Sequence, residues 1–411
     1  MKPVIGSVTV LMGLLMGVTG CANADEKSAK NITVGASQTQ SHTNNQSIKP
    51  AFDTQTIATL NEPWAMTVIA QANKPRQFLV TQKSGKLLLI DETGEKRTIS
   101  GVPAVAYGGQ GGLGDVILAP DFATSYDIYL SYAEAGDNVT AGAKVIKATI
   151  KDLDSQLPSL VNIRTIWTQT PKVTGQGHFS HKLLISPDKK YLFISSGDRQ
   201  KFIPAQDMSG NLGKIIRLNL DGSIPSDNPF VAKYGKDNIA AQFWSIGHRN
   251  TYGMVFDKQG TFWQHEMGPK GGDELNIIEK GQNYGWPIVS NGDNYDGSVI
   301  PDHNTRPEFT APKVSWTPVI SPSALAIYDK GAQHNDFPQW QDKALLSGLN
   351  SQALVVVDLD SANQGQSAKE LYRYDMGQRI RYVKVYDGQV YLLEDGANAR
   401  LLKLQPKLQP K

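Results

Sequence analysis

Along most of the chain, short apolar runs alternate with polar turn pairs, and no sustained i, i+3, i+4, i+7 stripe appears beyond short stretches. Phe78 to Thr81 and Leu87 to Ile90 flank Ser84-Gly85, and Thr93-Gly94 turns the chain again. Val383 to Tyr386 and Val390 to Leu393 flank Asp387-Gly388, and Leu401 to Leu404 follows. Tyr191 to Ser195 and Thr261 to His265 are runs of the same kind. Asp-Gly and Ser-Gly suit tight hairpins because glycine tolerates positive φ. The pattern predicts an all-β domain of many short strands, either a sandwich array or a propeller. Internal repeats are too weak to count blades from periodicity.

The two ends break this rhythm. Lys2 precedes an apolar run from Val4 to Val18, and Val18-Thr19-Gly20-Cys21 follows. The run is short for a membrane span and reads as a lipoprotein signal peptide over 1–20, with Cys21 lipidated. An ordinary secretory signal, with Cys21 incidental, is the competing reading. Cys21 is the only cysteine among 411 residues. The mature chain would then carry no thiol, which suits an oxidising compartment and leaves no CxxCH haem motif. Ala22 after the cysteine resembles an outer-membrane sorting signal, so the protein is expected on the periplasmic side of the envelope, held to the membrane by its lipid. Residues 21–50, rich in Ser, Asn, Gln, Thr and Lys, read as a disordered tether. The folded domain is expected over 51–405, and 406–411 as a tail. A formal charge of +2 with no dense basic patch argues against a nucleic-acid partner.

Gly109-Gln110-Gly111-Gly112-Leu113-Gly114 matches GxGxxG in form. A dinucleotide site needs a helix after the glycines. Here Asp115 to Pro120 and then Ile128 to Tyr132 read as strand, turn, strand. The loop is expected to let backbone pass close to a neighbour, with Gln110 directed into a pocket.

Oxidation of an alcohol by hydride transfer needs a base, a stabiliser of growing negative charge, and a cofactor, because no side chain accepts hydride. Gly177-His178-Phe179-Ser180-His181-Lys182 offers His178 as base, with His181 competing for the role. Gly247-His248-Arg249-Asn250 offers a permanent cation in Arg249 and a donor–acceptor in Asn250. Glu266-Met267-Gly268-Pro269-Lys270-Gly271-Gly272-Asp273-Glu274 is an acidic glycine loop whose carbonyls and carboxylates are the hard oxygens that Ca²⁺ prefers. Tyr284 and Trp286, in Asn283-Tyr284-Gly285-Trp286-Pro287, could stack on a flat ligand or simply pack in the core. Arg379 and Arg381 lie on one face of a strand, where two like charges are costly unless an anion lies between them. A polycarboxylate ligand would satisfy them, and a solvated outer face is the bland alternative.

Taken in order, GGQGGLGDVILAPDF at 108–122, GHRNTYGM at 247–254, GPKGGDELN at 268–276 and NYGWP at 283–287 resemble the soluble PQQ-dependent aldose sugar dehydrogenases and soluble glucose dehydrogenases. The resemblance runs from about Pro63 to Leu404. It implies a six-bladed β-propeller that binds pyrroloquinoline quinone (PQQ) and Ca²⁺ and oxidises aldoses at C1 to aldonolactones, passing electrons to an external acceptor. By the same resemblance, His178 is the base and Arg249 polarises the quinone. Gln110, Asn250, Tyr284, Trp286, Arg379 and Arg381 contact the cofactor or its pocket. The Gly268 and Pro269 carbonyls hold Ca²⁺, and Asp273 anchors their loop. Met267, Asn350 and Gly177 depart from the family's usual residues. Asn350 stands where the glucose dehydrogenases carry a cationic PQQ partner. Two other readings compete: a non-catalytic carbohydrate-binding propeller lipoprotein, and a Ca²⁺-dependent lactonase with a cage of acidic and Asn side chains.

Overall fold

The computed structural model describes residues 46–359 and 367–407. Cys21, the signal segment and nearly all of the expected tether lie outside them. Among the described residues, six antiparallel four-stranded sheets carry the fold, joined by a small two-stranded sheet of Lys270–Gly271 with Gly292–Asp293 and by single-turn helices such as Phe122–Ser125 and Val231–Tyr234. The innermost strands are Pro63–Ile69, Leu113–Leu118, Ser180–Ile185, Thr251–Phe256, Pro322–Ile327 and Ile380–Tyr386. Each touches the next, and the sixth returns to the first. The sheets therefore form a closed six-bladed propeller. Ring closure uses both ends of the domain: Phe52–Leu60 pairs with Ala399–Pro406 as the outer strand of the sixth blade. Ile48 already bridges to Tyr374 on the fifth blade, so the chain joins the domain ahead of the expected start at 51.

The strands expected from apolar runs are present, most of them slightly longer than the run: Phe78 to Thr81 lies within Gln77–Gln82, whereas the run Thr261 to His265 is displaced by one residue to Phe262–Glu266. The middle strands of the blades are covered on both faces. Pro63–Ile69 is buried throughout, and Ala353–Asp358 nearly so. Alternation of polar and apolar residues is consequently weak, and the strands read as continuous apolar runs. The core is a ring of interblade clusters. Leu79 and Leu89 of the first blade meet Val116 and Leu130 of the second, and Phe193 of the third meets Phe262 of the fourth.

The glycine run is followed by the strand Leu113–Leu118, not by a helix. Gly112 has φ +131°, and a Cβ there would strike the Lys83 carbonyl; a Cβ on Gly114 would strike the His181 ring. Close approach explains these glycines. The six innermost strands share one further device. Each shifts register near its start, between Pro63 and Ala65, Leu113 and Val116, Ser180 and Leu183, Thr251 and Gly253, Pro322 and Ala324, and Ile380 and Tyr382. Such bulges bend a strand and re-aim its side chains, and they collect near functional sites. The loops entering these strands carry Gln110, His178, Arg249, Asn250 and Arg379.

Candidate active site

His178 ends the loop before the third blade and is buried. Its Nδ1 lies 2.7 Å from Asp198 Oδ1. An ionised carboxylate only accepts, so Nδ1 carries the proton and Nε2 is the free basic nitrogen. Burial holds the imidazole below its ordinary pKa, against the opposing Asp198 hydrogen bond, and Arg249 adds to the lowering. His181 does not share this geometry. It is fully buried, its Nδ1 meets Ser131 Oγ at 2.8 Å, and burial pushes it down to about 3. Between the two histidines, only His178 has a carboxylate partner that fixes its tautomer.

Asp198 was not anticipated as a site residue, yet it joins three elements. Its Oδ2 accepts from Trp286 Nε1 at 2.7 Å, and its backbone N–H donates to the Arg249 carbonyl at 2.9 Å. The base, the indole wall and the backbone of Arg249 are thus held by one side chain and its peptide. His178, Ser180 and His181 all have positive φ, as do Arg199, Gln200 and Phe202 in the facing loop. Non-glycine residues rarely adopt this conformation, and such strain clusters at sites where geometry matters. Buried Arg199 supports the arrangement by donating to the Gly177, Ala141 and Gly175 carbonyls and lying on the Phe179 ring.

Gln110 links the second blade's loop to the same centre. Its Oε1 accepts from the His178 N–H at 2.8 Å, from Tyr252 Oη at 3.0 Å and from Asn250 Nδ2 at 3.4 Å. Asn250 Oδ1 accepts from Ser180 Oγ at 3.2 Å. Gln110 and Tyr252 line a cavity of about 390 Å³ together with Trp64, Asn350, Arg379 and Arg381. Arg381 is buried over the Trp64 ring, whereas Arg379 is about half exposed. An anion of the chain itself, Asp395, lies between them. Asp395 Oδ2 accepts from Arg379 Nε and Oδ1 from Arg381 Nε, each at 2.8 Å. Burial would raise the Asp395 carboxyl, but the two guanidiniums hold it below its ordinary pKa.

A smaller recess adjoins this cavity, and Met267 lines both. Arg249, Glu266, Gly268, Pro269, Glu274 and Trp286 are among its walls. Arg249 donates from Nη1 to the Met267 carbonyl at 3.0 Å and lies 5.1 Å from the Trp286 ring centre. Its buried Nε has no partner among the described residues. Trp286 is also stacked by Phe202, which is 45% exposed. Tyr284 also lines the recess, but its hydroxyl donates to the Ile277 carbonyl and its ring stacks on His248. It serves as wall and leaves no polar atom for a ligand.

Asp273 accepts from Gly268 N–H at 2.8 Å and from Ser321 N–H at 2.6 Å, tying the Gly268–Pro269 loop to the fifth blade. Burial pushes its carboxyl up to about 7. Glu266 and Glu274 face each other across paired strands. Glu266 resists the upward push of burial because His248 and the Arg249 N–H stabilise its charge; Glu274, beside it, is raised by burial and by Glu266. Asp273→Ala leaves two backbone donors without their partner, at roughly 1–3 kcal/mol for each unsatisfied group. We expect a loss of about 2–3 kcal/mol in unfolding free energy, read by urea denaturation. Stability within about 0.5 kcal/mol of wild type would show that the loop does not depend on this anchor.

The donor chemistry fits the two groups implied by the sequence. Among the described residues, no three His, Cys, Asp or Glu gather into a metal-binding group. A cation at the recess would instead meet hard oxygens from backbone carbonyls and the neighbouring carboxylates, as Ca²⁺ favours. The larger cavity falls within the size range of small-molecule sites, and its guanidiniums suit carboxylates.

Comparison with known proteins agrees with this architecture. The family model described as Glucose / Sorbosone dehydrogenase matches residues 60–403. An aldose sugar dehydrogenase of Escherichia coli (strain K12) is 37% identical over 355 residues, spanning 85% of this chain and 91% of that protein. The quinoprotein glucose dehydrogenase B of Acinetobacter calcoaceticus is 31% identical over 274 residues, spanning 58% of this chain and 53% of that protein. The crystal structure of the soluble aldose sugar dehydrogenase from Escherichia coli in the apo form superposes with a TM-score of 0.77 at 36% identity, covering 87% of this chain and all of that one. The chain therefore belongs to the glucose/sorbosone dehydrogenase family of oxidoreductases, the group of soluble glucose and aldose sugar dehydrogenases.

Proposed function

We propose that this protein oxidises aldose sugars at C1 to aldonolactones, dependent on PQQ and Ca²⁺, and passes the electrons to an external acceptor. The observation that carries this reading is His178, oriented by Asp198 on the same hydrogen-bonded frame as Arg249 and beside a cavity walled by Arg379 and Arg381. PQQ, when bound, supplies the hydride acceptor, and Ca²⁺ supplies Lewis-acid polarisation.

The chain's own residues supply the rest. His178 Nε2 takes the proton of the C1 hydroxyl, and Asp198 stabilises the imidazolium that results. Arg249 places fixed positive charge where negative charge grows in the transition state. Arg379 and Arg381 have N–H groups beyond those on Asp395 and would bind carboxylates of the cofactor. Gln110 and Asn250 would orient cofactor or substrate, Trp286 would wall the pocket, and the Gly268 and Pro269 carbonyls would hold Ca²⁺. From the cysteine motif we place the enzyme on the periplasmic side of the outer membrane, anchored through lipidated Cys21.

The test is reconstitution of the purified apo-protein with PQQ and Ca²⁺, followed by dye reduction with a panel of aldoses. Binding with sugar-dependent reduction is expected. Neither binding nor reduction would favour a carbohydrate-binding propeller. Arg381→Met should raise the PQQ dissociation constant about 10-fold to 100-fold, because hydrogen bonds to charged groups contribute roughly 1.5–3 kcal/mol. A dye-reduction rate that recovers at high PQQ would locate the loss in binding. An unchanged PQQ titration would remove Arg381 from the cofactor site.

A further inference from the structure

The large cavity has a third cation on its wall. Lys83 follows the strand Gln77–Gln82 of the first blade, and its side chain is only 15% exposed. It lines the cavity with Arg379 and Arg381, and Glu62 and Asp395 are the carboxylates in that lining. Three cations thus stand against two carboxylates, and the cavity walls carry a surplus positive charge. Asn350, on the same wall, adds none.

The Lys83 ammonium has three N–H bonds. One donates to the Gly109 carbonyl at 3.0 Å, and one faces Glu62 Oε1 at 3.2 Å. Among the described residues, the third has no acceptor. The other oxygen of Glu62 accepts from Tyr107 Oη at 2.6 Å. A hydrogen bond from Tyr107, with Lys83 contributing, holds the Glu62 carboxyl below its ordinary pKa despite partial burial. The Lys83 Nζ also lies 5.1 Å from the Tyr107 ring centre. Glu62 and Tyr107 therefore pin the ammonium at the cavity wall with a donor to spare. An ammonium pinned in this way loses less side-chain entropy on meeting an anion than a free lysine does.

We propose that Lys83 is a third cationic contact for the anionic cofactor and takes a carboxylate on the first-blade wall. The proposal rests on the PQQ reading above. A divided set of cations suits a flat polycarboxylate better than the paired arginines alone, whose charge is shared with Asp395.

The experiment titrates apo-protein with PQQ and Ca²⁺, without sugar, and reads binding by equilibrium dialysis. Lys83→Met is expected to raise the dissociation constant about tenfold, whereas Lys83→Arg keeps it within about threefold. Glu62→Gln removes the internal competitor for the ammonium and is expected to bind PQQ as tightly as wild type or more tightly. Tight binding by Lys83→Met would overturn the proposal. So would equal weakening by Glu62→Gln, since Lys83 would then act only by holding the loop. Failure of wild type itself to bind PQQ would instead sink the cofactor reading as a whole.

Discussion

His178→Ala is expected to lower kcat by about 10²-fold to 10⁴-fold while PQQ binding stays within about threefold of wild type. The size of the loss follows from the role. A positioned base removes the hydroxyl proton as hydride leaves carbon, and proton transfer of this kind contributes rate factors of that order. The selectivity follows from the geometry. Imidazole Nδ1 is engaged by Asp198, and only the backbone N–H of His178 reaches Gln110, a contact that alanine preserves. Arg379, Arg381 and Asn350, which line the cavity, are untouched. Dye reduction at saturating PQQ and sugar, set beside a binding titration on the same variant, measures both quantities. A variant that turns over at the wild-type rate removes His178 from the chemistry. One that no longer binds PQQ makes it a structural residue.

The sequence shows the shape of the domain more readily than its wiring. Dipeptides such as Ser84-Gly85 and Asp387-Gly388 mark hairpins through local φ requirements, and local rules can be read locally. His178, Arg249 and the Gly268–Pro269 loop stand out because their residue types are chemically pointed. Asp198 does not: in Ser195-Ser196-Gly197-Asp198 it looks like any turn aspartate. Its one signal is position, immediately after the strand Tyr191–Ser196 and at the end of the propeller where His178 precedes its own strand. The paired arginines were legible as a charge problem, but its solution, Asp395, lies beyond an intervening strand, and only cross-strand pairing brings it back. Phe202 and Arg199 were invisible for the same reason, since their partners come from other loops.

That hidden aspartate carries the second large effect. Asp198→Asn is nearly isosteric, yet every contact of the Asp198 carboxylate is with a donor: His178 Nδ1, Trp286 Nε1 and the Gln200 N–H. An amide offers one acceptor oxygen, and its NH₂ must face a donor. If the oxygen stays with the indole, the NH₂ confronts His178 Nδ1 and drives the ring proton to Nε2, so the nitrogen meant to accept the substrate proton already holds one. Loss of the correct tautomer in otherwise intact histidine–aspartate sites costs up to about 10⁴-fold, and we expect kcat to fall by about 10²-fold to 10⁴-fold here. The pH profile separates this from simple misfolding. The base works unprotonated, so kcat/KM falls as pH drops through the His178 pKa, which burial already places below its ordinary value. Asp198 is the group that raises it. Its loss therefore moves the acid limb of the residual activity to still lower pH. An acid limb displaced upward, or full activity at neutral pH, would show that the carboxylate does not govern the histidine.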